Sequence, residues 1–255
     1  MSADKGLEVT MGNLQTPRSE TPNAVNNDLR VAPLADLICF SSLRWDKLNV
    51  ELKTILSQWA REGRRVFFVE EPMFDAGMVA CLDVLRREDG VYIAVPHLPF
   101  GFAGRASVEM AMQGLLDDLF ATKDIGEHAL WYFTPTALAW TDHLKPLATI
   151  YNCVDELSVA YEESDAFRDV EAELIARADL VFADEANLSA AKRAQYPQHK
   201  GLHAIECGTK GSSKEAWARA SLLAKNLIDA RRRLASNAGA PGGKDRSYTA
   251  GASVV

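Results

Sequence analysis

The chain has 255 residues, 47% of them hydrophobic and 25% charged, a balance that fits an ordinary soluble globular protein of one large domain or two small ones. Its formal net charge of −7 argues against nucleic-acid binding as the main task, since phosphate contacts need clustered Lys and Arg. No apolar run approaches the roughly 18 residues of a membrane span. The N-terminus also lacks the apolar core of a secretory signal, so a cytoplasmic location is expected.

Cys39, Cys81, Cys153 and Cys207 are scattered, with no CxxC pair to suggest a zinc site or a redox dithiol. The first three lie in apolar runs and read as buried thiols. No metal site is expected.

Residues 1–34 are rich in Ser, Thr, Asn, Pro and Asp. They carry too little apolar surface to offset their ordering entropy, so a disordered leader is expected. Order begins at Leu37-Ile38-Cys39-Phe40, a buried strand ending in Ser41-Ser42. Asp46 is a candidate N-cap for a helix whose stripe is Leu48, Leu52, Ile55, Leu56 and Trp59, and Gly63 stops it. Val66-Phe67-Phe68-Val69 follows and ends in Glu70-Glu71. Strand, helix and strand in so short a stretch predict a right-handed βαβ unit with parallel pairing.

Val79–Leu85 and Val91–Val95 flank an Asp89-Gly90 turn signal, which predicts an antiparallel hairpin. His97 sits between Pro96 and Leu98-Pro99, and residues 100–104 form a Gly-containing loop fit to lie over a ligand. Their Gly-x-x-Gly lacks the strand–GxGxxG–helix setting of a dinucleotide site, and the chain has no P-loop. A helix over 108–120 is expected to bury Met110, Leu115, Leu116 and Leu119.

Residues 129–132 read as a strand, and Thr134-Pro135 opens a short helix with Leu138 and Trp140. Residues 148–152 read as a strand, and Phe167, Val170 and Leu174 mark a helix capped near Ser164 or Asp165. A strand over 180–183, a helix over 186–195 and a strand over 202–205 complete the alternation. The expected fold is a single three-layer α/β Rossmann-like domain over 35–210, with a mostly parallel sheet of seven or eight strands. A capping box at Ser212–Glu215 starts a helix over 211–234 that uses Trp217, Leu223 and Leu227, and 235–255 reads as a disordered tail.

Ligands of open parallel sheets bind outside the carboxyl ends of the strands. Asp155 and Glu156, after the strand at 148–152, are placed to hold or deprotonate a substrate hydroxyl; Asp155 equally suits the N-cap of the next helix. Ser41, Ser42 and Arg44 follow the first strand and suit contacts with an acceptor or phosphate, or a plain helix-capping loop. Trp45 suits a platform for a sugar face or a place in the core. His97 has a side chain suited to general-base work near neutral pH, or a structural role beside its prolines. Glu70 and Glu71 end a strand and suit hydroxyl binding or plain solvation.

Several segments together resemble bacterial glycosyltransferases of the GT-B class. They are Ser41-Ser42-Leu43-Arg44-Trp45-Asp46, Ala60 through Pro72, Val95-Pro96-His97-Leu98-Pro99, Leu130 through Pro135, Tyr151 through Ser158, and Ala176 through Phe182. The resemblance covers about residues 36–209 and implies the N-terminal, acceptor-side half of such an enzyme. The nucleotide-sugar donor would be a co-substrate, and no cofactor is implied. Asp155 or His97 would then be the base, with Ser41, Ser42, Arg44, Trp45, Glu70 and Glu156 binding substrate.

Two departures stand out. A Trp-Gln-Arg-Pro-Gln-His type run is replaced by Asn49-Val50-Glu51-Leu52-Lys53-Thr54, and nothing after Thr209 matches a donor domain. The expectation is therefore a half-enzyme that works with a separate donor-domain protein or as a homo-oligomer on a sugar or glycolipid acceptor. The alternative is a non-catalytic binding or scaffold module, or a truncated remnant.

Overall fold

The computed structural model describes residues 34–77, 79–102, 104–153, 165–183, 186–205 and 212–238. The expected leader before Leu34, the expected tail beyond Ala238, and Asp155, Glu156, Ser164 and Cys207 lie outside them. The strands are β1 (Asp36–Phe40), β2 (Val66–Val69), β3 (Met73–Ala76), β4 (Cys81–Arg86), β5 (Tyr92–Pro99), β6 (His128–Tyr132), β7 (Ala148–Cys153), β8 (Leu180–Ala183) and β9 (Leu202–Ala204). The α-helices are α1 (Val50–Arg61), α2 (Arg105–Thr122), α3 (Leu138–Thr141), α4 (Asp165–Arg177), α5 (Ala186–Gln195) and α6 (Ser212–Ala238).

The nine strands of the described residues form one sheet, with neighbours in the order β3-β5-β2-β1-β6-β7-β8-β9 and β4 beside β5. Every pairing is parallel except β4 with β5. The fold is thus the expected three-layer, Rossmann-like α/β arrangement with one hairpin excursion.

Near-continuous apolar strands mark a sheet buried on both faces, and β1 shows how the faces divide. Leu37 and Cys39 enter a core shared with α1 and α6, through Leu52, Leu56, Trp59, Trp217 and Ile228. Ile38 and Phe40 enter the opposite core, against Leu116, Leu119, Leu138, Leu174 and Ile175 of α2, α3 and α4. The period-two alternation of the strands sends successive residues to different layers.

The structure corrects several expectations. Asp46 does not cap α1: Trp45–Lys47 form a separate 3-10 turn and Leu48 is extended, so the helix starts later. Asn49 is the cap, its side chain accepting the Leu52 N–H at 2.8 Å. Met110 points to solvent and Met112 is the buried residue of α2. Cys81 is exposed on β4 rather than buried. The strand β3 has no separate signal in the sequence, being four residues directly after Pro72. The strand expected over Val91–Val95 is β5, which continues through Pro99 and so includes His97.

The helix α6 runs to Ala238 and crosses the α1 face. Trp217, Ala220, Ala224 and Ile228 are buried there, while Leu223 is turned outward. Ala220 lies toward β8 and β9, and the side facing α1 carries Trp217, Ala218 and Ser221. Trp59 donates its indole N–H to Ser221 Oγ at 2.8 Å, and buried Arg64 pairs with Asp229 at 2.8 Å while accepting the Trp59 ring beneath its guanidinium. Removing residues 212–255 should strip this apolar face and raise binding of a hydrophobic dye several-fold. Unchanged dye fluorescence at equal solubility would show that α6 is not needed as a cover.

Candidate functional site

The sheet reverses its winding between β1 and β6. The chain moves from β1 through β2 toward one edge and from β6 through β7 toward the other, so β1 and β6 are neighbours whose connections diverge. That divergence opens a crevice at their carboxyl ends, where open α/β sheets place ligands. Backbone hydrogen bonds hold the strand ends level: Ser41 N to Val69 O at 3.0 Å, Glu70 N to Ala94 O at 2.9 Å, and Phe133 N to Phe40 O at 2.8 Å.

The crevice contains a cavity of about 230 Å³. Its floor is Phe40 and Val69, one wall carries Ser41, Ser42, Glu70 and Glu71, and the other carries Thr134, Thr136 and Trp140. The polar groups converge. Ser41 Oγ accepts the Leu43 N–H at 3.0 Å, which leaves its own proton to donate. Thr134 and Thr136 hydroxyls lie 2.9 Å apart. Ser42 Oγ and Trp140 Nε1 are buried without a hydrogen-bond partner, and buried polar atoms in that condition call for an explanation.

Glu70 is buried, and both of its oxygens are engaged. Oε1 accepts the Trp45 N–H at 2.7 Å and Oε2 accepts Arg44 Nη1 at 2.9 Å. The carboxylate therefore ties the loop after β1 to the end of β2, and its charge is compensated where it stands. Arg44 reaches the cavity wall only through this pair. Trp45 is not a platform: its ring is 3% exposed, packs edge-on against Phe68 at 5.1 Å, and has Arg87 over its face at 5.7 Å.

His97 is also away from the cavity lining. Its Nδ1 is 2.7 Å from Asp75 on β3 and its Nε2 is 3.6 Å from Asp83 on β4. With a carboxylate near each ring nitrogen, it bridges the two strands that flank β5. The structure thus brings Ser41, Ser42, Glu70 and Glu71 to one cavity and places Trp45 and His97 outside its lining. Thr134 stood in the quoted motifs without a role; its signal was its place just after a strand.

A second group escaped the sequence altogether. At the end of β7, Glu171 of α4 accepts Tyr151 Oη at 2.9 Å and Cys153 Sγ at 3.5 Å, and pairs with Lys192 of α5 at 2.5 Å. Glu171 is buried beside Leu174 and Ile175, a spacing that marked an inward helix face. Burial pushes the Tyr151 phenol well above its ordinary value, reinforced by the neighbouring Cys153 and Glu171 charges. Burial, then the Glu171 charge, pushes the Cys153 thiol up to about 12. For Lys192 burial acts downward, but the Glu171 hydrogen bond and charge outweigh it and hold the ammonium above its ordinary range. The cluster pins α4 and α5 to the strand from which the chain departs toward Asp155.

The fold is α/β of the Rossmann-like kind, with a cavity at its switch point. No protein-family model matches the chain, and no curated protein sequence matches it. Among solved structures it is similar to a chain of sucrose-phosphate synthase from Thermosynechococcus elongatus, at 12% identity over 78% of this chain and 98% of that one, with a TM-score of 0.49. A longer chain of the same enzyme is matched at 13% identity over 69% of this chain and 49% of that one, with a TM-score of 0.48. An α,α-trehalose-phosphate synthase (UDP-forming) from Burkholderia xenovorans, in complex with glucose-6-phosphate, has 13% identity, 79% and 56% coverage and a TM-score of 0.42. The chain spans about half the length of the latter two. Among the described residues no helix is long and apolar enough to cross a membrane.

The buried acids predict the alkaline limit of stability. Burial raises Cys39 and Cys153 above an ordinary 9.0 and Tyr132 and Tyr151 above an ordinary 10.0. Folded-state values above unfolded ones give stability that is full below the unfolded values and lost as pH rises past them, because the unfolded chain then releases protons that the folded one keeps. The melting temperature should hold steady to about pH 8 and fall progressively above about pH 9. Exposed Cys81 should meanwhile react with a thiol reagent while Cys39 and Cys153 stay protected. A flat melting temperature to about pH 10.5 would show that these groups ionise as readily in the folded chain.

Proposed function

We propose that this chain is a glycosyltransferase-like protein and serves as the acceptor-binding half of a GT-B system, in the synthesis of a cell-surface polysaccharide or glycoconjugate. The observation that carries the reading is that four hydroxyl-bearing residues, Ser41, Ser42, Thr134 and Thr136, line one cavity at the β1–β6 crevice. Hydroxyls both donate and accept, which suits a ligand that is itself covered in hydroxyls. The ordered similarity of the motifs from Ser41 through Phe182 to GT-B glycosyltransferases supports it independently.

In this reading the acceptor sugar lies over Phe40, with its hydroxyls on the Ser and Thr side chains. Glu70 shapes the wall, and Arg44 holds it in place. Asp155, which follows β7, removes the acceptor hydroxyl proton, and Glu156 binds a neighbouring hydroxyl. The freed oxygen bonds to the anomeric carbon as the bond to the nucleoside diphosphate breaks. A second α/β unit facing the crevice, either a separate donor-domain protein or another copy of this chain, would hold the nucleotide-sugar donor and stabilise the leaving diphosphate.

One observation favours the rival, a binding or scaffold module. Glu70, the buried carboxylate of the cavity wall, has both oxygens engaged by Trp45 N–H and Arg44, and His97 lies outside the lining, bonded to Asp75.

Calorimetric titration separates the readings. The chain alone should bind methyl glycosides, and Ser42→Val or Thr134→Val should each weaken that binding about fivefold, the worth of one hydrogen bond. UDP, UDP-sugars and GDP-sugars should be silent until a donor-side partner is added, and the turnover that then starts should vanish in Asp155→Asn. Tight donor binding by the chain alone would overturn the acceptor assignment. Glycoside binding with no turnover beside any partner would establish the scaffold.

A further inference from the structure

The switch-point cavity does not end at Trp140. A second cavity of about 340 Å³ continues from it, and the two share Thr136, Trp140 and Phe167. Together they reach the size usual for small-molecule sites, about 300–1,000 Å³. The chemistry changes along their length. The inner end carries the Ser and Thr hydroxyls and Glu70, whereas the outer part is walled by Val108 of α2, Trp140 of α3, and Phe167 and Val170 of α4. At the far lip Arg105 and Glu109 form an i,i+4 ion pair facing solvent. Trp140 stands at the change of polarity, its buried Nε1 without a partner.

We infer that the acceptor is a glycoside with an apolar aglycone: the sugar binds among the hydroxyls and the apolar part runs outward between α2 and α4. This rests on the acceptor-site reading above. A free sugar would fill only the inner cavity and leave an apolar trough open to water, whereas an alkyl or aryl group beside the sugar covers Val108, Phe167 and Val170 and gains from their burial. The Trp140 side chain is common to both cavities, so a ligand that passes from one to the other must run along it. The trough opens at its outer end, so a long aglycone can extend past the Arg105–Glu109 lip. An aglycone of this kind is either a lipid chain or a soluble aromatic group, and both present the same apolar surface.

The test uses the full chain and four probes: methyl, octyl and phenyl glycosides of the best-bound sugar, and octanol alone, each below its micelle concentration. Octyl or phenyl glycoside should bind at least about tenfold more tightly than methyl glycoside. Val170→Asp should abolish that gain while leaving methyl glycoside binding unchanged. Val108→Gln, on a different helix, should reduce the gain and guards against misfolding of one variant. A preference for octyl over phenyl marks the lipid source, and the reverse marks an aromatic one. Equal affinity for methyl and octyl glycosides would overturn the inference and leave the acceptor site standing. An octyl gain that survives both substitutions, or octanol binding as tightly as the octyl glycoside, would place the chain elsewhere and overturn it as well. Silence from all the glycosides would remove the acceptor site itself, and this inference with it.

Discussion

The structure turns on the constraint that β1 has its own continuation on one side and a stranger on the other. Right-handed crossovers carry the chain from β1 over α1 to β2, and from β6 through α3 to β7, so the connections leave on opposite faces and in opposite directions. No loop can close the gap between strand ends whose loops diverge. A cavity at that point is a consequence of topology before any side chain is chosen. The side chains then decide its character: small hydroxyl residues at 41, 42, 134 and 136 leave room, and aromatic residues at 40 and 140 give it an apolar floor and far wall.

Keeping that crevice in register requires a rigid sheet, and a parallel sheet requires cover on both faces. On one face α2, α3 and α4 supply it. On the other, α1 covers β1 and β2, and α6 returns across it to cover β6, β7 and β8 through Trp217, Ala220, Ala224 and Ile228. Polar contacts fix where α6 sits. Arg64, at the start of β2, is buried and would be costly without a partner; Asp229 supplies that partner, and Arg231 pairs with Asp179 near the start of β8. The helix is thus keyed to the amino ends of the strands by charge and to their middle by packing, leaving the carboxyl ends open.

Legibility in the sequence followed the physics of each signal. Strands β1, β2, β6, β7 and β8 were visible because apolar runs bounded by turn residues admit few other interpretations. The β4–β5 hairpin was visible through Asp89-Gly90, whose Gly90 adopts a positive φ of 93°. The misses came where tertiary context outweighs local pattern. Asp46 and Asn49 are both good capping residues, and only the 3-10 turn at Trp45–Lys47 decides between them. The strand signal stops at Val95 before Pro96, yet pairing with β3 and β4 carries β5 on through His97. Glu171 looks like a surface charge until Tyr151, Cys153 and Lys192 surround it. Of the candidate site, the hydroxyls after β1 were legible from their position alone, and the facing pair after β6 was not, because nothing local says that β6 lies next to β1. Asp155 and Glu156 lie outside the described residues.

A buried carboxylate that accepts a backbone N–H on one oxygen and a guanidinium on the other is committed to structure from both sides, as Glu70 is. The same bonds make it a good wall, because a carboxylate held from two sides does not swing when a ligand enters. Glu71 stands exposed on the same wall. At the carboxyl end of β7 the Glu171 network likewise holds Tyr151 and Cys153. The strand ends on both sides of the switch point are thus fixed by buried carboxylates, Glu70 after β2 and Glu171 beside β7, before any ligand enters.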